Sequence, residues 1–163
     1  MNESIDFDMI SLNIRKRNYR YIGSGSGRRV YDLGDGYVVK VAKNNKGIAQ
    51  NKAEHHISSS EHSNIFAKTI QVSEDFRMLI MVKAVRIRDL SEVRKYFNVK
   101  SNKELFQLNE IKSVCTSHNL ILNDLYKTAS WGMVNNCPVI IDYGFTHSVR
   151  VNYYSPFRFN LRF

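Results

Sequence analysis

The glycine-rich segment 22–30 (IGSGSGRRV) has a composition that could bind phosphate. Because glycine has no side chain, Gly23 and Gly25 would let backbone amides approach a phosphate closely. The segment is not a Walker loop, since no Gly-Lys-Ser/Thr follows, and it does not open a helix as a dinucleotide-binding fingerprint does. Alternating glycine and serine also forms ordinary hairpin loops, so both interpretations stay open for this segment alone.

A lysine in the apolar segment 38–42 (VVKVA) is the second group that could act on phosphate. In an alternating strand, Lys40 lies on one face and Val39 and Val41 lie on the other. A lysine in an apolar strand needs a partner. Glu54, fourteen positions later on a predicted helix, could pair with it and align the ammonium group on nucleotide phosphates. The alternative is that the Lys40 ammonium group reaches solvent and that Glu54 is an ordinary surface residue.

The third candidate group is the carboxylate of Asp142. It comes directly after residues 138–141 (PVII), whose pattern is typical of a buried strand that ends in a turn. With these elements in this order, the sequence resembles the protein-kinase fold, and in particular the very small kinase-like proteins of bacteriophages. The resemblance covers about residues 18–148. Its motifs are Gly23-x-Gly25 with Val30, Val39-Lys40, Gln50-Asn51-x-x-Glu54 and Asp142-Tyr143-Gly144.

The resemblance implies a cleft that uses ATP and Mg²⁺ as cofactors. Asp142 would hold a Mg²⁺ ion that bridges two phosphates of the nucleotide. Lys40 would also be a catalytic residue, because it orients the phosphates. The implied nucleotide-binding residues are Gly23, Gly25, Val30, Lys40 and Glu54.

The catalytic segment departs from the family pattern. Residues 123–126 (NDLY) look like the His-Arg-Asp-Leu motif with its first two residues changed, which makes Asp124 the candidate base for a substrate hydroxyl. Ser130 stands where the small phage type carries a metal-binding asparagine. Serine is a weaker ligand, so a second Mg²⁺ would be poorly held and transfer slow or absent. Arg28 replaces the usual third glycine and could stiffen the loop or reach the phosphates itself.

Only nineteen residues follow Gly144. By the resemblance, the chain then lacks an Ala-Pro-Glu segment, a long activation loop and the helices on which conventional kinases bind peptides. An acceptor would be recognised by other means, such as the basic aromatic tail or a second subunit.

The order of the predicted strands and helices indicates an α+β fold of the minimal protein-kinase-like type. It has an N-terminal antiparallel sheet with one helix and a truncated helical C-lobe. Glycines at 34–36 predict a hairpin, Asn44-Asn45 can cap a helix, and Asp89-x-x-Glu92 and Ser101-x-x-Glu104 read as capping boxes. The predicted strands span 18–23, 29–33, 37–42, 65–72, 77–82, 120–122, 133–134 and 138–141. The predicted helices span 46–60, 89–98 and 102–118. We predict a single domain, 1–163, with an N-lobe at about 18–85 and a C-lobe at about 86–163.

Composition limits the class of protein. The 163 residues carry a formal charge of +9 and are 43% hydrophobic, enough for a core. The sequence has no apolar run long enough for a membrane span, and its acidic start is unlike a signal peptide. We therefore expect a soluble cytoplasmic protein, in the host cytoplasm if it is phage-encoded, with no membrane partner. Cys115 and Cys137 are expected to be reduced core residues.

Three functional hypotheses follow. The first is a minimal kinase-like, ATP- and Mg²⁺-dependent phosphotransferase with a protein acceptor. The second is a pseudokinase that acts as a nucleotide- or protein-binding module on a host or virion component. The third is a basic nucleic-acid-binding protein, whose best feature is the positive charge of residues 15–29. In the tail, arginines could neutralise phosphates while aromatic residues stack on bases. The stronger interpretation of the tail is that its aromatic residues close a small core or dock on a partner while the arginines stay in water. The tail residues are Arg150, Tyr153, Tyr154, Phe157, Arg158, Phe159, Arg162 and Phe163. Whether the chain is an enzyme stays open.

Overall fold

The N-terminal half forms a five-stranded antiparallel sheet. In the computed structural model, which describes residues 5–155, the strands are β1 (Arg20–Ser24), β2 (Arg28–Gly34), β3 (Tyr37–Ala42), β4 (Thr69–Val72) and β5 (Met78–Val82). Their order across the sheet is β1-β2-β3-β5-β4. The turn between β2 and β3 holds Gly34, Asp35 and Gly36 at φ values of 80°, 49° and 85°. Glycine adopts this left-handed backbone without strain and aspartate tolerates it, so the predicted hairpin is confirmed.

The C-terminal half contains short helices and a small sheet. The helices of the described chain are α1 (Phe7–Arg15), α2 (Asn45–Ser60), α3 (Ser91–Tyr96), α4 (Asn102–Gln107), α5 (Asn109–Ser117), α6 (Leu122–Leu125) and α7 (His147–Val149). A 3₁₀ turn spans Thr128–Ser130, and a π-helical turn spans Arg150–Tyr154. The small antiparallel sheet has the order β6-β7-β8, formed by β6 (Val85–Arg86), β7 (Trp131–Val134) and β8 (Cys137–Ile140). The α+β fold class is therefore as predicted.

Helix α2 lies between the two halves and begins as expected. The backbone of Asn44 is extended, and its Oδ1 accepts a hydrogen bond from the Gly47 amide at 3.2 Å, which caps the helix. The buried face of α2 is unusual because it is largely polar. Gln50, Asn51 and Glu54 are buried there beside Ile57. Buried polar side chains need partners, so this face indicates a polar site under the sheet.

Two groups of buried side chains hold the fold. The larger group extends from Leu79 and Met81 of the sheet to Phe106, Ile111 and Trp131 of the C-terminal half. The smaller group lies on the opposite face of the sheet, where Ile10 of α1 packs with Val39 and Ile80. As the alternation of β3 predicts, Val39 faces α1 and Lys40 faces the other side.

Several predicted elements differ from those observed. Helix α1 was not predicted, although Asp6 caps it by accepting a hydrogen bond from the Met9 amide at 3.0 Å. The predicted helix 102–118 is two helices, because the extended backbone of Leu108 (φ −58°, ψ 135°) separates α4 from α5. The break lets each short helix bury its own apolar side chains. The predicted strand 120–122 is reduced to a single bridge between Leu120 and Thr146.

The cysteine prediction is half wrong. Both thiols are free, but only Cys115 is partly buried, and Cys137 is exposed at the start of β8. Burial raises the pKa of the Cys115 thiol to about 11. Within residues 5–155, no helix combines the length and the apolar character that crossing a bilayer requires.

Candidate functional site

A cleft of about 880 Å³ separates the five-stranded sheet from the C-terminal half. This volume is typical of sites that bind small molecules. The residues from the sequence prediction that line it are Gly23, Gly25, Val30, Lys40, Asp124, Ser130 and Asp142. Glu54 lies behind Lys40 and is fully buried. The fold thus brings all the predicted site residues to one place.

The carboxylate of Glu54 is the centre of the site. Lys40 Nζ donates to both of its oxygens, at 2.9 and 2.8 Å, and forms the predicted ion pair. Arg28 binds the same carboxylate in a two-pronged contact, with Nη2 to Oε1 and Nη1 to Oε2, each at 2.9 Å. The backbone amides of Tyr143 and Gly144 also donate to Oε1, at 3.2 and 3.1 Å. Glu54 therefore connects β2, β3 and the 142–144 segment to α2.

Opposite charges decide the ionisation of this cluster. Burial alone would raise the pKa of Glu54, but the attraction of Arg28 and Lys40 outweighs it and lowers the pKa to about 2. For Lys40, burial outweighs the attraction of Glu54 and lowers its pKa. The pKa of Arg28 is raised, because Glu54 and Asp142 outweigh the effect of burial. The carboxylate and the guanidinium are thus charged at neutral pH, and they compensate each other.

We expect acid to destabilise the fold through Glu54. Its pKa is lowered in the folded state, so its contribution to stability is complete above the ordinary value of 4.5 and is lost as the pH falls towards 2. The Glu54→Gln variant should be less stable at neutral pH but should lose less on acidification. Urea unfolding of both proteins at neutral pH and at about pH 3 measures this difference. If acidification lowered the free energy of unfolding equally in the two proteins, the lowered pKa of Glu54 would be contradicted.

Arg28 does more than stiffen the glycine segment. Its side chain is only 7% exposed and lines the cleft from beneath the sheet. Beyond the two contacts with Glu54, Nη1 donates to Asn51 Oδ1 at 3.1 Å and Nη2 donates to Asp142 Oδ1 at 2.8 Å. The Nη atoms thus donate three hydrogen bonds, and Nη1 makes one further close ion-pair contact with Glu54. The guanidinium lies between the two carboxylates.

The segment 142–144 is fixed against α2. Besides the two amides on Glu54, the Tyr143 hydroxyl donates to the Ala67 carbonyl at 2.7 Å. A Cβ atom on Gly144 would lie 2.4 Å from the Gln50 carbonyl oxygen, so only glycine fits there. The Asp142 side chain is nevertheless 55% exposed at the edge of the cleft. The segment therefore presents one carboxylate to the cleft on a rigid backbone.

The predicted metal ligands do not fit a Mg²⁺ ion in this arrangement. One oxygen of Asp142 is already bound by the Arg28 guanidinium, whose positive charge would repel a dication. The Ser130 hydroxyl donates to the Asp124 backbone carbonyl at 2.7 Å, and the Asp124 carboxylate contacts Lys127 Nζ. Among the described residues, no group of three or more His, Cys, Asp or Glu side chains is close enough to hold a metal ion.

The glycines of the segment differ in the room that a side chain would have, and the predicted approach of Gly23 and Gly25 to a phosphate stays a prediction. A Cβ atom on Gly25 would meet nothing within 4 Å, and on Gly23 it would approach only the end of the Arg86 side chain. The tight contact is instead between Gly27 and Gly47, where a Cβ on Gly47 would lie 2.1 Å from the Gly27 carbonyl oxygen. The glycine segment is thus held against the first turn of α2.

We expect Gly47→Ala to destabilise the fold, although alanine is the better helix former. The added methyl group overlaps the Gly27 carbonyl, and such overpacking costs about 1 to 3 kcal/mol. Gly25→Ala, which adds a methyl group in open space, is the matched control and should change the free energy of unfolding by less than about 0.5 kcal/mol. Urea unfolding measures both. A Gly47→Ala protein as stable as the parent would contradict the close approach.

Tyr154, which the sequence analysis assigned to the basic aromatic tail, lies at the candidate site. Its hydroxyl lies 2.8 Å from Ser26 Oγ and accepts from Gln50 Nε2 at 3.2 Å. Lys46 Nζ lies 4.4 Å from the centre of its ring. The ring therefore covers the end of the glycine segment. The tail residues Phe157, Arg158, Phe159, Arg162 and Phe163 lie outside the described residues.

The antiparallel sheet, the Lys40–Glu54 ion pair between β3 and α2, and the β7–β8 hairpin that leads to Asp142 are the arrangement that the resemblance to the kinase-like fold implies. No protein-family model matches the sequence, and no curated protein does. Solved structures similar to this chain include the ternary complex of APH(2″)-IIa with streptomycin and ATP, at 17% identity and a TM-score of 0.46, covering 88% of this chain and 73% of that one. Another is the gentamicin complex of APH(2″)-IIa, at 17% identity and a TM-score of 0.43, covering 89% and 71%.

Proposed function

We propose that this chain is a kinase-like nucleotide-binding protein whose cleft takes ATP. The observation that carries the proposal is the buried Lys40, which Glu54 holds in place at a cleft bordered by a glycine-rich segment. A buried lysine with a fixed carboxylate partner is a point charge at a defined place, which suits a phosphate.

The cleft offers separate surfaces for the two ends of a nucleotide. Ile22, Val30, Val38 and Met81 supply apolar walls for the base. Lys40 donates one hydrogen bond to the Ile141 carbonyl at 2.6 Å besides its two to Glu54. That third bond could be exchanged for a phosphate oxygen without disturbing the ion pair. ATP therefore suits the apolar and the charged parts of the cleft together.

The charge of the cleft also favours a polyanion. The described residues that line it include six cationic side chains and two acidic ones, Asp124 and Asp142. The cationic side chains are Arg20, Arg28, Lys40, Lys83, Arg86 and Lys127. Asp32 pairs with Arg20 and Lys83, and Glu54 pairs with Arg28 and Lys40, so a smaller positive excess remains. This excess raises the local concentration of an anionic ligand.

A phosphotransferase is the second candidate, and the position of Asp124 on the cleft wall favours it. Asp124 would accept the proton of an acceptor hydroxyl, as a general base does.

A protein acceptor, a host or virion partner, a phage source and a cytoplasmic location all stay predictions. So does nucleic-acid binding, for which the positive charge of residues 15–29 is the main support.

Transfer of radiolabel from γ-labelled ATP separates the two candidates. The binding proposal expects saturable binding of ATP without transfer to the protein or to a generic protein acceptor. Transfer that Asp124→Asn abolishes would establish the phosphotransferase instead. Binding itself can be followed through Trp131, the single tryptophan of the chain, which is buried and lines the cleft. No change in its emission and no retention of label would refute nucleotide binding.

A further inference from the structure

Both acidic side chains on the wall of the cleft already have a cationic partner. Asp142 Oδ1 is 2.8 Å from Arg28 Nη2, and Asp124 Oδ1 contacts Lys127 Nζ. Behind the wall, Glu54 is shared by Arg28 and Lys40. Among the described residues, the cleft therefore has no carboxylate whose charge is uncompensated. Phosphates and a metal-binding carboxylate repel each other unless a cation lies between them.

The cation beside Asp142 is built into the chain. Arg28 is tied to β2 and is buried with four acceptors around its Nη atoms. Moving the guanidinium away from Asp142 to admit a dication would disturb a buried charge that is hydrogen-bonded to Asn51, Glu54 and Asp142, which is costly. Leaving it in place puts the dication next to a guanidinium. Both alternatives oppose metal binding at Asp142.

We propose that Arg28 replaces the divalent cation, so that the cleft binds a nucleoside triphosphate without Mg²⁺. The inference rests on the proposed nucleotide binding. Arg28 neutralises Asp142, and the phosphates are then held by Lys40 and by the positive side chains of the cleft. Arg28 is thus a positioning and charge-compensating residue, since its Nη atoms donate to Asn51, Glu54 and Asp142 within the protein.

Equilibrium dialysis of radiolabelled ATP against the whole protein tests this inference, with MgCl₂ in one buffer and EDTA in the other. We expect the dissociation constants to agree within about threefold, because the cation is supplied by the chain. Binding that requires MgCl₂, or that MgCl₂ tightens by tenfold or more, would overturn the inference and leave the proposed nucleotide binding intact. No retention of ATP in either buffer would refute the proposed binding, and the inference with it.

Variants of Arg28 test the role of the charge. In EDTA, Arg28→Gln should weaken ATP binding by roughly 10- to 100-fold, because it exposes the charge of Asp142. Added MgCl₂ should then restore part of the loss. The double variant Arg28→Gln/Asp142→Asn should recover affinity in EDTA, which a purely structural role of Arg28 would not produce. Arg29→Gln, at the exposed neighbouring position, is the matched control.

The single and double variants share the loss of the same buried guanidinium. A double variant as weak as the single one would therefore overturn the charge-compensating role. If Arg28→Gln fails to fold, the comparison of MgCl₂ with EDTA on the unmodified protein still decides the inference.

Discussion

Replacing Glu54 with alanine should lower the free energy of unfolding by about 3 to 5 kcal/mol, the range for breaking a buried ion pair by removing one partner. The Glu54 carboxylate accepts from Lys40, from Arg28 and from the amides of Tyr143 and Gly144. Its removal leaves two buried cations without their shared counter-charge. A loss of this size is a large part of the 5 to 15 kcal/mol that stabilises an ordinary domain.

Urea unfolding followed by circular dichroism measures this loss. Glu110→Ala is the matched control, because Glu110 is an exposed glutamate on another helix, and it should change stability by less than about 0.5 kcal/mol. A Glu54→Ala protein that loses no more than the control would show that Glu54 is not the centre of the site.

Replacing Lys40 with methionine should abolish most of the affinity for ATP while the fold is kept. Glu54 retains Arg28 and the two backbone amides, so its charge stays compensated, and methionine fills a similar volume. The phosphates lose a charged donor, which corresponds to a loss of roughly 10- to 100-fold in affinity.

The control for Lys40 is Lys52→Met, an exposed lysine on α2 whose ammonium group faces the ring of Phe76. Equilibrium dialysis of ATP against both variants should show a loss for Lys40→Met only, with circular dichroism spectra like that of the parent. Equal affinities in the two variants would remove Lys40 from the phosphate site.

The sequence predicted those parts of the site that depend on local patterns. The alternation of 38–42 placed Lys40 and Val39 on opposite faces, and Asn44 marked the start of α2. The glycines at 34–36 predicted the hairpin, since this turn needs a left-handed backbone. Such features are decided by neighbouring residues, so they can be predicted without knowing the tertiary structure.

The other parts of the site depend on contacts between residues that are far apart in the sequence. Arg28 reaches Asp142, 114 positions away, and Tyr154 reaches Ser26, 128 positions away. No periodicity indicates such pairs. The order of the kinase-like motifs predicted which residues meet but not that an arginine lies among them. Helix α1 was missed because its stabilising contact, Ile10 on Val39 and Ile80, is likewise long-range.

The central claim is that the cleft binds ATP, and the most direct test is the stability of the unmodified protein with and without ATP. A ligand at 100 times its dissociation constant raises the free energy of unfolding by about 2.7 kcal/mol. We predict a saturable increase in the unfolding midpoint with ATP for the unmodified protein and a much smaller one for Lys40→Met. An unchanged midpoint at all ATP concentrations, with the protein folded throughout, would contradict the account.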